Sequence, residues 1–389
     1  MVQKYKRIRL NKSKMKFKLT TIKIYLVNKI SYLIIKSLSF KKNNYSLLIK
    51  LYQYIYINTK FNIKFNKNII NDNHISVELL KENQNIKIIS LIFSHNILNN
   101  ITTMKRSKEC LNHWIPLLIK LSSKTKKKII INLNCGDKGS SDYLSMDSKK
   151  NTNLIPDLYS LNAAKKINKK LPKISFEEFK KIWLIKESKM YWRGGTTGDS
   201  YKNIKELNKL KRIEICKRFR ESKDIDIKIS RITQNDTNKE KIKKYLIQEK
   251  IFGKEVSENK FINYKYYPDI PGNSLAWGTI TKYLGGSLIF KAEVGKHLYY
   301  YNLLKEWIHY IPVNNDFSDL EEKLIWSEKN QTKSLEIAYS GYIIILEYLK
   351  NIDNHINLTN KFVCSRILIC RSCSNLRYNT RCSTNNVIV

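Results

Sequence analysis

The sequence predicts a mixed α/β protein in two lobes, and three stretches carry that prediction. SKECLNHWIPLLIKLSSKTKKK followed by KIIINLNCGD reads as a helix, a buried β-branched strand and a polar loop at the strand's carboxyl end. MYWRGGTTGDSYKN reads as an aromatic strand running into a glycine-rich turn. NYKYYPDIPGNSLAWGTITKYLGGSLIFK reads as strand, turn, helix and strand. Alternation of this kind is the pattern of an α/β fold, in which ligands bind at the carboxyl ends of the strands. It divides the chain into a low-complexity basic segment (1–70), an N-terminal α/β lobe (71–170), a C-terminal α/β lobe (171–350) and a cysteine-containing tail (351–389). The join between the lobes is expected near 155–185.

The N-terminal segment opens with MVQKYKRIRLNKSKMKFK, and Lys23, Lys29 and Lys36 interrupt the apolar stretch after it. No uncharged run there reaches the ~18–20 residues of a membrane span, and no small-residue cleavage site follows it. The expected location is therefore cytoplasmic or peripheral to a membrane, with contact through the basic N-terminus left open. A secretory-pathway lumen is the less expected location.

Residues 75–101 alternate short apolar runs with polar breaks, as strands do. In the helix that follows, Cys110, Trp114, Leu117 and Leu118 fall on one face. Residues 138–153 read as a loop. SFEEFKKIWLIKE starts with Ser175 as cap and Glu178 three residues on, the pattern of a capping box. Residues 203–222 read as helical and basic, and 224–260 as charged and poor in strand. WIHYIPV reads as a strand with alternating faces that ends at Pro312. Ser318 is then the expected cap of DLEEKLIWSEKN, with Asp319, Glu321 and Glu322 in the first turn, where the helix dipole favours acids. Capping explains Asp319 without catalysis, and His309 reads as a satisfied core histidine. Residues 318–350 read as two helices joined near Lys329–Gln331.

At 389 residues, 42% hydrophobic and 11% aromatic, the chain can bury a substantial core. Lys and Arg number 72 against 33 acids, a formal charge of +39. That excess would suit nucleic acid, anionic lipid or phosphorylated ligands. Most of the basic residues are scattered lysines accompanied by abundant Asn, Ile and Tyr, which points to compositional drift, and no nucleic-acid partner is expected. Of seven cysteines, Cys110, Cys135 and Cys216 are isolated, while Cys364, Cys370, Cys373 and Cys382 crowd the tail. A lone CxxC is weak evidence for zinc, and no metal site is expected.

Two turns carry the chemistry. In YWRGGTTG, Gly194 and Gly195 allow close backbone approach, and Thr196 and Thr197 offer hydroxyls and N–H groups. The turn reads either as a nest for a diphosphate, with Arg193 and Arg212 as counter-charges, or as a tight turn with a buried arginine. Without GKS or GKT it is not a P-loop. In PGNSLAWG, Gly272, Asn273 and Ser274 form a second turn ahead of Trp277 and Gly278.

The order WRG-G-TTG, KY-x₅-GNS-x₂-W, GGSLIFK and LLKEWIHYIPV-x₂-DFSDLEEKLIW closely resembles glycosyltransferase family 90 over residues 185–345. The family includes protein O-glucosyltransferases, fungal capsule-associated xylosyltransferase-like proteins and bacterial lipopolysaccharide-modifying enzymes. The resemblance implies a GT-B-like fold of two Rossmann-like lobes with the active site in the cleft between them. It also implies a UDP-sugar donor with glucose or xylose, a hydroxyl of a protein or glycan as acceptor, inversion at the anomeric carbon, and no metal or cofactor. By the same resemblance, NLNCGD supplies Asn134 and the catalytic base Asp137. Arg193, Gly194, Gly195, Thr196, Thr197, Arg212, Gly272, Asn273, Ser274, Trp277 and Gly278 become the donor-binding set. The stretch 303–326 is then expected to close the donor lobe.

The chain departs from the animal enzymes at two positions. The arginine they carry in the turn after KY falls here on Gly278, and another falls on Tyr201. The alternatives are a basic nucleic-acid- or membrane-surface-binding protein and a catalytically inactive family member.

Overall fold

The computed structural model describes residues 62–352, apart from 83–84, 100, 123–128, 138–142, 150–152, 168–172 and 236–237. The first 61 residues and the cysteine tail from 353 onward lie outside the described residues. The chain divides into two compact units, 1–135 and 136–389. The division falls at Cys135/Gly136 and not near 155–185, so Asp137 belongs to the second unit.

In the first unit, β1 (Asn62–Asn66), β2 (His74–Glu82), β3 (Asn85–Ser94) and β4 (Ile129–Asn134) lie in the order β1-β3-β2-β4. β1 runs parallel to β3, and β2 runs antiparallel to β3 and β4. Ile75, Val77 and Leu79 alternate inward along β2, as the two-residue strand period requires. Helix α1 (Ile101–Ser122) buries Cys110, Trp114, Leu117 and Leu118, the face expected from their spacing.

The second unit opens with two short strands, β5 (Leu144–Ser145) and β6 (Asp147–Ser148), in the segment expected to be loop. Helices α2 (Leu158–Ile167) and α3 (Phe176–Leu184) follow. Ser175 caps α3 in a complete capping box: its hydroxyl accepts from the Glu178 N–H, and the Glu178 carboxylate accepts from the Ser175 N–H. After β7 (Glu187–Gly195), helices α4 (Ile204–Leu207) and α5 (Lys211–Arg218) lead to β8 (Ile225–Arg231) and α6 (Lys239–Gln248). The charged 224–260 stretch therefore holds a strand. Ile225, Ile227 and Ile229 are its buried face, beneath Asp226 and Lys228 that mask it in a composition-based reading. Then come β9 (Tyr264–Pro268), α7 (Thr279–Leu284), β10 (Leu288–Ala292), β11 (His297–Leu298), β12 (Ile311–Val313), α8 (Leu320–Lys329) and α9 (Gln331–Lys350).

The main sheet of this unit runs β12-β10-β9-β7-β8, with every neighbouring pair parallel. β9 and β10 are buried along their whole length, as strands covered on both faces are. Because β7 and β9 are parallel neighbours, the turns after Gly195 and Pro268 emerge side by side at the carboxyl end of the sheet's strands.

WIHYIPV is shorter as a strand than its alternation predicts. Only Ile311–Val313 pair with β10, and Trp307 sits at φ 59° in a preceding turn. His309 Nδ1 accepts the Lys305 N–H within that turn. Ser318 is not the cap of α8. Asp319 occupies the cap position without a capping bond, its carboxylate accepts from the Asn314 N–H, and the Ser318 hydroxyl accepts from the Asn314 amide. Among the described residues, no helix is long and apolar enough to cross a membrane.

Candidate functional site

A cavity of about 820 Å³ opens in the second unit where the two turns emerge. Eleven of the twelve residues expected from sequence line it: Asp137, Arg193, Gly194, Gly195, Thr197, Arg212, Gly272, Asn273, Ser274, Trp277 and Gly278. The exception is Thr196, which is fully buried. Its hydroxyl pairs with the Tyr201 hydroxyl at 2.7 Å, lies 3.0 Å from the Thr233 carbonyl and accepts the Thr233 N–H at 2.9 Å. Thr196 therefore locks the turn and faces no ligand. Tyr201 is part of the same lock.

The two expected counter-charges differ. Arg193 donates from Nη2 to the Asp226 carboxylate at 2.8 Å and from Nη1 to the carbonyls of Trp192 and Asp226, and its guanidinium lies 4.2 Å over the Tyr191 ring. Its charge is already paired within the wall, although it lines the cavity and its Nε–H donates to no acceptor among the described residues. Arg212 instead donates to three backbone carbonyls: Gly195 at 3.0 Å, Ile270 at 3.0 Å and Pro271 at 2.9 Å. It ties the turn after β7 to the turn after β9. No carboxylate lies within ion-pairing distance of it among the described residues, and burial pulls its guanidinium down to about 10. The cavity wall therefore carries a half-buried cation with no direct ion pair among the described residues; the buried Asp269 carboxylate attracts it only from beyond ion-pairing distance.

Gly272 makes this packing feasible. A Cβ there would collide with Thr197 Oγ1 and approach Arg212 Nη2 to 3.0 Å. On the opposite side of Arg212, its guanidinium lies 5.1 Å over the Trp192 ring. Asn273 Oδ1 accepts the Gly198 N–H at 2.9 Å, a second bond between the two turns.

The remaining lining includes groups with no signal in the sequence. Tyr159, at the start of α2, stacks on Trp277 with ring centroids 6.0 Å apart and planes 10° from parallel. A pair of this kind offers a flat apolar edge to a sugar or base ring. Lys282 is nearly buried, lies 4.1 Å over the Phe261 ring and pairs with Glu258. Its ammonium would sit 3.3 Å from a Cβ placed on Gly278, so a lysine one helical turn on occupies the space beside that glycine. Spacing in α7 could have flagged Lys282. Glu258 and Phe261 lie in the charged stretch, where nothing periodic marks them.

The chain matches glycosyl transferase family 90 over residues 150–355, more than half its length. The chain belongs to glycosyl transferase family 90. It is 29% identical over 163 residues to protein O-glucosyltransferase 2 of Danio rerio, covering 41% of this chain and 29% of that protein. It is 36% identical over 90 residues to protein O-glucosyltransferase 1 of Bos taurus, 23% of each chain. An uncharacterized protein of Invertebrate iridescent virus 6 is 33% identical over 119 residues, 26% of this chain and 10% of that protein. The chain thus spans less than a third of the length of each of these family relatives. The family match takes in every cavity residue except Asp137.

Proposed function

We propose that the cavity binds a UDP-sugar and that the protein transfers glucose or xylose to a hydroxyl of a protein or glycan acceptor with inversion. The observation that carries this reading is the half-buried cation Arg212, without a direct ion pair and held between two glycine-bearing turns, in the same cavity as the carboxylate of Asp137. A diphosphate beside Arg212 would supply that direct ion pair and accept from N–H groups of the turns. In the transfer step, the Asp137 carboxylate takes the proton of the acceptor hydroxyl as its oxygen attacks the anomeric carbon. The bond from that carbon to the diphosphate breaks, and its electron pair leaves on the phosphate oxygen. The names of the glucosyltransferase relatives favour glucose.

A donor screen of the purified protein with UDP-glucose, UDP-xylose and related donors, scored by UDP release, tests the reading. Asp137→Asn keeps the shape and removes the base, so turnover should fall by ~10²–10⁴ with UDP affinity nearly unchanged. Near wild-type turnover in that variant would remove Asp137 from the mechanism. Fixed cations and N–H dipoles are proposed to hold the leaving diphosphate, so transfer should persist in EDTA. Loss on chelation with recovery in manganese would require a metal.

A further inference from the structure

Asp147 is 1% exposed and accepts a hydrogen bond from Ser274 Oγ at 2.5 Å through Oδ2. Lys296 Nζ stands 3.7 Å from the same oxygen, and Oδ1 accepts no hydrogen bond from any other of the described residues. The backbone on both sides is fixed. Asp147 pairs with Leu298 in the β6–β11 ribbon, and the Ser274 carbonyl accepts the Gly272 N–H at 2.9 Å. A buried carboxylate with one idle oxygen is expensive if packing is its only task.

The arrangement has a chemical consequence at the cavity wall, which Ser274 lines. A serine hydroxyl has one proton and two lone pairs. With the proton directed at Asp147, only lone pairs remain for a ligand. Ser274 would then repel phosphate oxygens, which are acceptors too, and attract groups that donate. It lies two residues after Gly272, whose backbone abuts Arg212, and three before the stacked Trp277. Asp137 lines the same cavity, and its charge, after burial, helps push the Asp147 carboxyl up. Between a diphosphate at Arg212 and a base at Asp137 lies the transferred sugar, whose hydroxyls are donors.

We infer that Asp147 is a positioning residue that fixes Ser274 as a hydrogen-bond acceptor for one hydroxyl of the donor sugar. The inference rests on the donor-site reading above. Replacing that hydroxyl by fluorine keeps size and polarity and removes the proton, so the site should discriminate against one such analogue.

Titration calorimetry with UDP, UDP-glucose and its 2-, 3-, 4- and 6-deoxyfluoro analogues tests it. In the wild type, one analogue should bind about tenfold or more weaker than UDP-glucose, as expected when an acceptor loses its donor. In Ser274→Ala that ratio should fall to roughly threefold or less, because the lone pairs are gone. Asp147→Leu frees the Ser274 proton to turn into the cavity, and the same ratio should narrow there too. The ratio is insensitive to a general loss of fold or affinity, and Ser274→Ala carries the test if Asp147→Leu fails to fold. If UDP binds but no analogue is disfavoured, or the ratio is unchanged in Ser274→Ala, the inference fails alone. If UDP itself does not bind, the donor-site reading fails with it.

Discussion

The wall formed by β7 and β8 and the paired turns beyond β7 and β9 each present an arginine to one cavity, and they settle its charge differently. In the wall, Arg193 meets Asp226 with side chains only 10% and 22% exposed. Across the turns, Arg212 donates to three carbonyl dipoles, and the one carboxylate that attracts it, Asp269, lies beyond ion-pairing distance. Dipoles orient a guanidinium without cancelling its charge. A cation without a direct ion pair inside a cavity is what an incoming anion can use. One arginine is therefore paired within the fold, and the other, on the proposed reading, would serve both the fold and a ligand.

The largest effect that follows concerns stability. Arg193→Ala leaves the Asp226 carboxylate and the Trp192 and Asp226 carbonyls without their donor, and unfolding free energy should drop by about 3 kcal/mol in chemical denaturation. UDP affinity in the fraction that remains folded should change far less. If Arg193→Ala abolished UDP binding with its denaturation midpoint intact, the contrast between the two regions would be reversed.

Arg212→Met should show the opposite profile. It removes a half-buried charge without a direct ion pair along with its three carbonyl bonds, so the two changes in stability partly offset each other. The loss of a charge-assisted contact should weaken UDP binding by about 2 kcal/mol, measured by calorimetry. Equal UDP affinity in Arg212→Met and wild type would return the diphosphate to some other cation, with Lys282 and Arg231 the next on the cavity wall.

Local patterns showed where the turns are, and long-range partners decided what each side chain in them does. Gly194, Gly195 and Gly272 were legible because strand-to-helix turns with glycine have a recognisable grammar. The capping box at Ser175 and Glu178 was legible because both partners lie within one turn of helix. Arg193 and Arg212 looked alike because Asp226 is 33 residues from the first and the carbonyls of Ile270 and Pro271 are 58 and 59 residues from the second. Thr196 and Thr197 adjoin, yet one faces Tyr201 and Thr233 and the other faces the cavity. The 303–326 stretch, rich in family signature, contributes the edge strand β12 and no cavity residue. A specific pattern there reflects packing, including the close approach of Gly341 to the His309 carbonyl and the Tyr283 ring.

The smallest effect separates the two arginines by titration. Burial lowers Arg212 from its ordinary 12.5 to about 10. In the unliganded protein it is therefore charged below pH 10 and loses its proton as pH rises through 10. A bound diphosphate favours the charged form and raises that pKa, so affinity is greatest below pH 10 and declines above it. Linkage gives a loss of roughly fourfold at pH 10.5 relative to pH 9 for a single group at 10. Lysines and tyrosines titrate in the same range, so the same series on Arg212→Met supplies the baseline. Its UDP affinity should be weaker at every pH, and its slope between pH 9 and 10.5 should be shallower than the wild-type slope. A slope as steep in Arg212→Met as in the wild type would assign the titration to other groups and leave Arg212 a structural tie between the two turns.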